Sequence, residues 1–98
     1  MLEKDIERKL VAGVKRSGGK AYKFVSPGNV GVPDRIVIWP NGVIHFVELK
    51  TSKGALSRLQ GVQARELQKL NQKVFVLKGA DALAGYLDQF IEEFGVKA

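Results

Sequence analysis

The chain of 98 residues contains no cysteine and only one histidine. Without cysteine there are no disulfide bonds and no thiolate metal sites, and one histidine leaves too few ligands for a histidine-based zinc site. No apolar run reaches the length of a transmembrane helix, and residues 1–5 are charged and lack an apolar signal core. We therefore expect a soluble, intracellular protein.

Positive charge exceeds negative charge in this sequence. Sixteen Lys and Arg residues face 10 Asp and Glu residues, which gives a formal net charge of +6. Such a balance favours an anionic partner, and nucleic acid is the first candidate. Ribosomal-type RNA-binding proteins and membrane-surface proteins share this property, so charge alone does not assign a function. The length and the hydrophobic fraction of 45% indicate one small domain, residues 1–98, with a single core.

The hydrophobic pattern predicts seven elements in the order α-β-β-β-α-β-α. Predicted helices cover residues 2–16, 56–70 and 81–94, and predicted strands cover residues 20–26, 34–39, 43–50 and 73–78. Signals at their ends are Gly18-Gly19 after the first helix, Pro40-Asn41-Gly42 in a hairpin, a Ser57/Gln60 capping box, and Asp81 and Gly95 bounding the last helix. Because a helix joins the third and fourth strands, we expect them to run parallel. The predicted fold class is α/β, a mixed sheet flanked by helices.

Two acidic residues flank the predicted hairpin. Asp34 opens one strand and Glu48 lies near the end of its antiparallel neighbour, so both reach the same edge of the sheet. Glu48 and Lys50 are two positions apart and point to the same face. Two carboxylates beside an ammonium group suit binding of Mg²⁺ or Mn²⁺ and hydrolysis of phosphodiesters. E-x-K alone is common and is usually a solvated strand end, but its position after a Gly-x-Pro-Asp loop and a hairpin favours function.

Acidic residues also lie on the apolar side of the first helix. At about 100° per residue, Glu3 falls within the arc of Ile6, and Glu7 lies on the same side. These acids either complement the helix dipole or extend the acidic cluster, with Glu3 the stronger candidate. Gln60 also has two readings: it closes a capping box with Ser57, or its amide orients water or a phosphate at the site.

Other side chains receive structural or electrostatic roles. By strand parity His45 points away from Glu48, so we expect a structural residue rather than a general base. Trp39 is expected in the core or at an interface, and with the final helix it is a candidate dimer surface. The candidate phosphate contacts, which flank the proposed site, are Arg35, Lys53 and Arg58.

Taken in order, these residues resemble the motifs of the PD-(D/E)XK nuclease superfamily. More narrowly, they resemble its VRR-NUC branch, in the stand-alone form found in bacteriophages. The resemblance covers about residues 2–78 and rests on Glu3, Gly31-Val32-Pro33-Asp34-Arg35, Glu48-Leu49-Lys50 and Leu56-Ser57-x-x-Gln60. It implies a restriction-endonuclease-like αβββαβ core.

The resemblance also implies a mechanism and partners. The ligands of Mg²⁺ or Mn²⁺ would be Asp34, Glu48 and the backbone carbonyl of Leu49. Lys50 would position or deprotonate water and stabilise the transition state, Glu3 would complete the acidic cluster, and Gln60 would be accessory. Stand-alone members are similar to Holliday-junction resolvases, which implies a homodimer that cuts four-way DNA junctions in a bacterial or phage-infected cytoplasm. The alternatives are a less selective or restriction-like nuclease on duplex or flap DNA, and a non-catalytic basic nucleic-acid-binding module.

Overall fold

The computed structural model of the protein describes residues 2–96. Its elements, in chain order, are α1 (Glu3–Arg16), β1 (Lys20–Lys23), β2 (Arg35–Ile38), β3 (Ile44–Lys50), α2 (Arg58–Lys69), β4 (Lys73–Lys78) and α3 (Gly79–Phe94). The four strands form one sheet in the order β1-β2-β3-β4. The pairs β1–β2 and β2–β3 are antiparallel, and β3–β4 is parallel, as the helical crossover predicts. The predicted α/β class and mixed sheet are confirmed.

One face of the sheet is covered by α1 and α3 and contains the core. The four-residue spacing of Ile6, Leu10 and Val14 turns one side of α1 inward, and all three side chains are fully buried. Val47 and Leu49 of β3 point to the same layer and are buried too. The helix layer and the sheet thus enclose a single apolar core between them.

His45 is a structural residue, as strand parity predicts. Its Nδ1 accepts a hydrogen bond from Trp39 Nε1 (3.1 Å) and lies 2.8 Å from the Tyr86 hydroxyl, with the Phe90 ring packed edge-on 4.6 Å away. Burial, with a smaller contribution from Lys73, lowers the pKa of His45 to about 4. Trp39 is 1% exposed, so it cannot form a dimer surface. That part of the prediction is wrong, because the indole fills the core beneath α3.

The opposite face of the sheet is only partly covered. We call it the open face and define it by Tyr22, Ile36, Ile44, Phe46, Val74 and Val76, which alternate along the four strands. Helix α2 covers only part of this face, and every residue of α2 keeps solvent exposure within the described part of the chain. Tyr22 and Ile44 are 46% and 42% exposed. Helices therefore cover β3 fully on one side only.

Several element ends differ from the predicted ones. Strand β1 ends at Lys23 because the chain leaves the sheet toward Pro27, although the Phe24 amide still donates to the Asp34 carbonyl (2.9 Å). Helix α3 begins at Gly79, whose φ of +82° turns the chain directly out of β4. Asp81 therefore lies in the first turn and does not cap the helix. Among residues 2–96, no helix is long and apolar enough to cross a membrane.

Candidate active site

The hairpin brings Asp34 and Glu48 together. In the antiparallel register Arg35 pairs with Val47, so the residues just before and just after them face each other across the two strands. Asp34 Oδ2 accepts a hydrogen bond from the backbone amide of Leu49 (2.9 Å), which fixes this carboxylate beside the end of β3. Sheet geometry thus places both acids at one edge, where the sequence puts them.

Glu48 is a buried carboxylate with one satisfied and one unsatisfied oxygen. Its residue is 3% exposed. Oε2 accepts a hydrogen bond from Gln60 Nε2 (3.1 Å) and lies 3.5 Å from Lys50 Nζ. Oε1 is buried and has no hydrogen-bond partner among the described residues. An unpaired oxygen in a buried carboxylate is energetically unfavourable, and a cation bound at Oε1 would relieve this.

The electrostatics of the site favour a positive ion. Burial and, second to it, repulsion from the nearby Asp34 carboxylate raise the pKa of Glu48 to about 7, although Lys50 opposes both effects. One ammonium group therefore does not neutralise the two carboxylates. A divalent cation fits this donor set, because hard carboxylate oxygens are the ligands that Mg²⁺ and Mn²⁺ prefer.

Gln60 closes the capping box and its side-chain amide also reaches the site, where a role in orienting water or a phosphate stays a prediction. Its side-chain Oε1 accepts a hydrogen bond from the Ser57 backbone amide (2.9 Å), and its backbone amide donates to Ser57 Oγ (3.2 Å), so the predicted capping box is present. Its Nε2 is left free to donate to Glu48. The cap thus orients the side-chain amide, and the amide in turn fixes one oxygen of the buried carboxylate.

Arg35 occupies a position that charge alone does not predict. Its Nε donates to Glu7 Oε1 (2.9 Å) and its Nη1 donates to the carbonyl of Ala21 (3.2 Å). The side chain is 17% exposed and links α1, β1 and β2. Glu7 is thereby engaged by a cation next to the site, and Arg35 holds the strand that begins directly after Asp34.

The remaining predicted site residues lie on the surface. Glu3 is exposed in the first turn of α1, Lys53 is exposed in the loop after β3, and Arg58 is exposed at the start of α2. Across residues 2–96 no group of three or more acidic or histidine side chains is close enough to hold a metal. Asp34 and Glu48 therefore form a pair, and a role for Glu3 in metal binding stays a prediction.

Two positioning contacts were not foreseen from the sequence. The Leu49 amide anchors Asp34, whereas only the carbonyl of Leu49 was considered. The pairing of Glu7 with Arg35 joins residues 28 positions apart, and only the packing of α1 on the sheet brings them together. Glu7 on the apolar side of α1 was the available signal for the second contact.

Comparison with known proteins identifies relatives described as a nuclease or as VRR_NUC domains. No family model matches the chain. "Putative nuclease p44" of Acyrthosiphon pisum secondary endosymbiont phage 1 is 47% identical over 79 residues, which are 81% of this chain and 85% of the relative. A solved structure described as a VRR_NUC domain matches with a TM-score of 0.77 and 30% identity over 92% of this chain and 94% of its own. A second, a VRR_NUC domain protein, matches with a TM-score of 0.69 and 18% identity over 99% and 93% of the two chains, and shows the fold alone.

Together, the mixed sheet and the paired carboxylates at its edge define the class as an α/β nuclease domain. Within that class, the chain belongs to the VRR-NUC nuclease family. The resemblance seen in the sequence motifs is confirmed.

Proposed function

We propose that the protein is a metal-dependent endodeoxyribonuclease that hydrolyses phosphodiester bonds in branched DNA. The observation that carries the proposal is Glu48 Oε1, a buried carboxylate oxygen without a partner among the described residues, beside a second carboxylate. Asp34 and Glu48, with the Leu49 carbonyl, would hold Mg²⁺ or Mn²⁺. When bound, the ion supplies Lewis-acid activation of the scissile phosphate and of water.

The protein's own groups divide the remaining work. Lys50 Nζ, beside Glu48, positions the attacking water and stabilises the negative charge that develops on the phosphate. Gln60 fixes Glu48 Oε2, so that Oε1 is presented in one orientation. Lys53 and Arg58 are exposed next to this edge and contact the DNA backbone, and the net charge of +6 favours binding of DNA.

Cleavage of a four-way junction is the specific activity that we propose. The decisive assay incubates labelled junction and a matched linear duplex with the protein in Mg²⁺, Mn²⁺ or EDTA. Paired, metal-dependent nicks in the junction alone support the proposal. Equal cutting of both substrates indicates the less selective duplex or flap nuclease, and no cutting of either substrate indicates a binding module.

Two substitutions separate a nuclease from a binding module. Asp34→Asn and Glu48→Gln each remove one negative charge and keep the shape of the side chain. A nuclease loses cleavage and keeps junction affinity, whereas a module that only binds keeps or gains affinity and never cuts. Glu66→Gln, at an exposed position in the second half of α2, is the control for the loss of one negative charge.

We further propose that a second copy of the chain covers the open face. Glu48 and Lys50 lie on the same side of β3 as Ile44 and Phe46, so the open face is continuous with the active-site edge. A second copy there sets two active sites side by side, as paired incisions require. It also removes apolar surface from water, which favours association of a small domain.

Sedimentation equilibrium of an open-face variant tests the dimer. Ile44→Glu places a charge on an exposed part of the open face, at the start of β3, and is expected to give a monomer that nicks one strand of a junction. Gln89→Glu, on the exposed side of α3 against the other face, is the matched control and is expected to remain dimeric. A monomeric wild-type protein, or dissociation by the α3 variant alone, contradicts this interface.

A further inference from the structure

The loop before Asp34 contacts the first turn of α2 without any intervening side chain. Gly31 has a φ of +94°. A Cβ atom added to it would lie 2.6 Å from the carbonyl carbon of Leu59, 2.7 Å from the Leu59 oxygen and 2.8 Å from the Gln60 nitrogen. All three are backbone atoms, so no side-chain rotation can make room. Only glycine permits this approach.

The peptide that Gly31 touches is the one that leads into Gln60. The backbone amide of Gln60 donates to Ser57 Oγ, and its side-chain amide donates to Glu48 Oε2. On the other side of the contact, Asp34 follows Gly31 by three residues. The Gly31 contact therefore joins the two segments that carry the carboxylate Asp34 and the amide that orients Glu48.

Helix α2 has few other constraints on its position. Every one of its residues keeps solvent exposure in residues 2–96, so no buried side chain locks the helix to the sheet. Leu59, next to the contact, is 41% exposed. The start of the helix is then held largely by backbone contact with the loop and by the hydrogen bond from Gln60 to Glu48.

We propose that Gly31 is a positioning residue for the nuclease reaction. Its close approach to the Leu59–Gln60 peptide sets the distance between the Asp34 loop and α2, and so keeps the Gln60 amide on Glu48. The inference rests on the proposed function only for its kinetic readout. It assigns to one glycine of the Gly-x-Pro-Asp loop a function in assembling the site.

A second glycine of the same loop is a matched control. Gly28 has a φ of +83°, close to that of Gly31. An added Cβ at Gly28 meets no described atom within 4 Å. Alanine at either position is destabilised to a similar extent by the left-handed backbone conformation, but only alanine at position 31 would also clash with the backbone of α2. The difference between the two variants isolates the contact.

The kinetic test compares Gly31→Ala and Gly28→Ala in junction cleavage. Gly31→Ala is expected to lower kcat by roughly 10- to 100-fold with KM nearly unchanged, since a displaced Gln60 misorients Glu48, while the exposed Lys53 and Arg58 side chains still reach the DNA backbone. Gly28→Ala is expected to stay within about threefold of wild type in both constants. Equal losses in the two variants overturn the inference.

A double-mutant cycle tests whether Gly31 acts through Gln60. In a Gln60→Ala background, Gly31→Ala is expected to lower kcat by no more than about a further threefold, because the amide that it displaces is already gone. Losses that multiply independently show that Gly31 affects cleavage by another route, and they overturn the inference.

A spectroscopic readout keeps the inference separate from the activity. The side-chain NH₂ resonances of Gln60 are expected to shift in Gly31→Ala and to stay in place in Gly28→Ala, whether or not the wild-type protein cuts DNA. If Gly31→Ala does not fold, hydrogen exchange of the wild-type protein is the test. The backbone amide of Gln60 and that of Phe24, which donates a hydrogen bond to the Asp34 carbonyl, are then expected to exchange through the same local unfolding event. Unshifted resonances, or independent opening, overturn it.

Discussion

Glu48→Gln is expected to stabilise the folded protein at pH 8 while abolishing cleavage. The pKa of Glu48 lies near 7 in the folded protein, against an ordinary value of 4.5, chiefly because of burial. Between these values the folded state binds more protons than the unfolded state, so stability falls as pH rises through the window. Above pH 7 the full penalty of the buried charge applies. Glutamine has the same shape, can still accept from Gln60, and carries no charge.

The size of the effect follows from the shift in pKa. A rise from 4.5 to about 7 corresponds to about 3 kcal/mol of unfolding free energy at pH 8, and to less than about 1 kcal/mol at pH 5. Urea denaturation of both proteins at pH 5 and pH 8, in EDTA, measures these differences. Comparison at a fixed pH removes the contribution of His45, which both proteins share.

The result that refutes this reasoning is a Glu48→Gln protein that is no more stable than wild type at pH 8, or a difference that does not grow with pH. Magnesium provides an internal check. At ten times its Kd, Mg²⁺ is expected to stabilise the wild type by about 1.4 kcal/mol and to leave Glu48→Gln nearly unchanged. Equal stabilisation of both proteins would place the ion elsewhere.

Three further predictions concern the same edge and the core. Lys50→Met is expected to lower single-turnover cleavage by about 10²- to 10⁴-fold with little loss of junction affinity in filter binding. Arg35→Met leaves the Glu7 carboxylate without its partner in a half-buried position, and urea denaturation is expected to show a loss of about 1–3 kcal/mol, against less than about 0.5 kcal/mol for the exposed Lys23→Met. Because the pKa of His45 is lowered to about 4, the folded protein binds fewer protons at this residue than the unfolded chain does below pH 6.5, so stability falls as the pH falls. In the Glu48→Gln variant, which lacks the titration of Glu48, the free energy of unfolding is expected to fall by about 3 kcal/mol between pH 7 and pH 4. In the double variant Glu48→Gln/His45→Gln, the free energy of unfolding is expected to fall far less over the same pH range. An equal fall in both variants would contradict the assignment to His45.

The parts of the site that the sequence predicted correctly depend on local geometry. The Asn41-Gly42 turn and the alternation along β3 are enough to bring Asp34 to Glu48 and to send His45 to the other face. The Ser57/Gln60 spacing is enough for the capping box. Each of these relationships spans a hairpin or a single helical turn, so the chain itself determines it.

The parts that the sequence did not predict depend on how elements pack. Arg35 reads as a phosphate contact because its partner Glu7 belongs to a helix whose rotation on the sheet is not set locally. Gly31 could be assigned from the sequence only to the Gly-x-Pro-Asp loop, because the peptide that it touches lies 28 residues further along the chain. Neither contact leaves a local periodic signal.

The features that we propose for catalysis also weaken the fold at this edge. Within residues 2–96, the buried carboxylate of Glu48 has one oxygen without a partner, which opposes folding above pH 7, and α2, which carries the residue that orients Glu48, contributes no fully buried side chain. A domain of 98 residues has little stability to spare for such a site. A divalent ion at Glu48 Oε1 and a second copy on the open face would each offset part of this cost. Junction cleavage, metal binding and association should therefore be coupled: Mg²⁺ is expected to raise the stability of the active-site edge, and Ile44→Glu is expected to lower it.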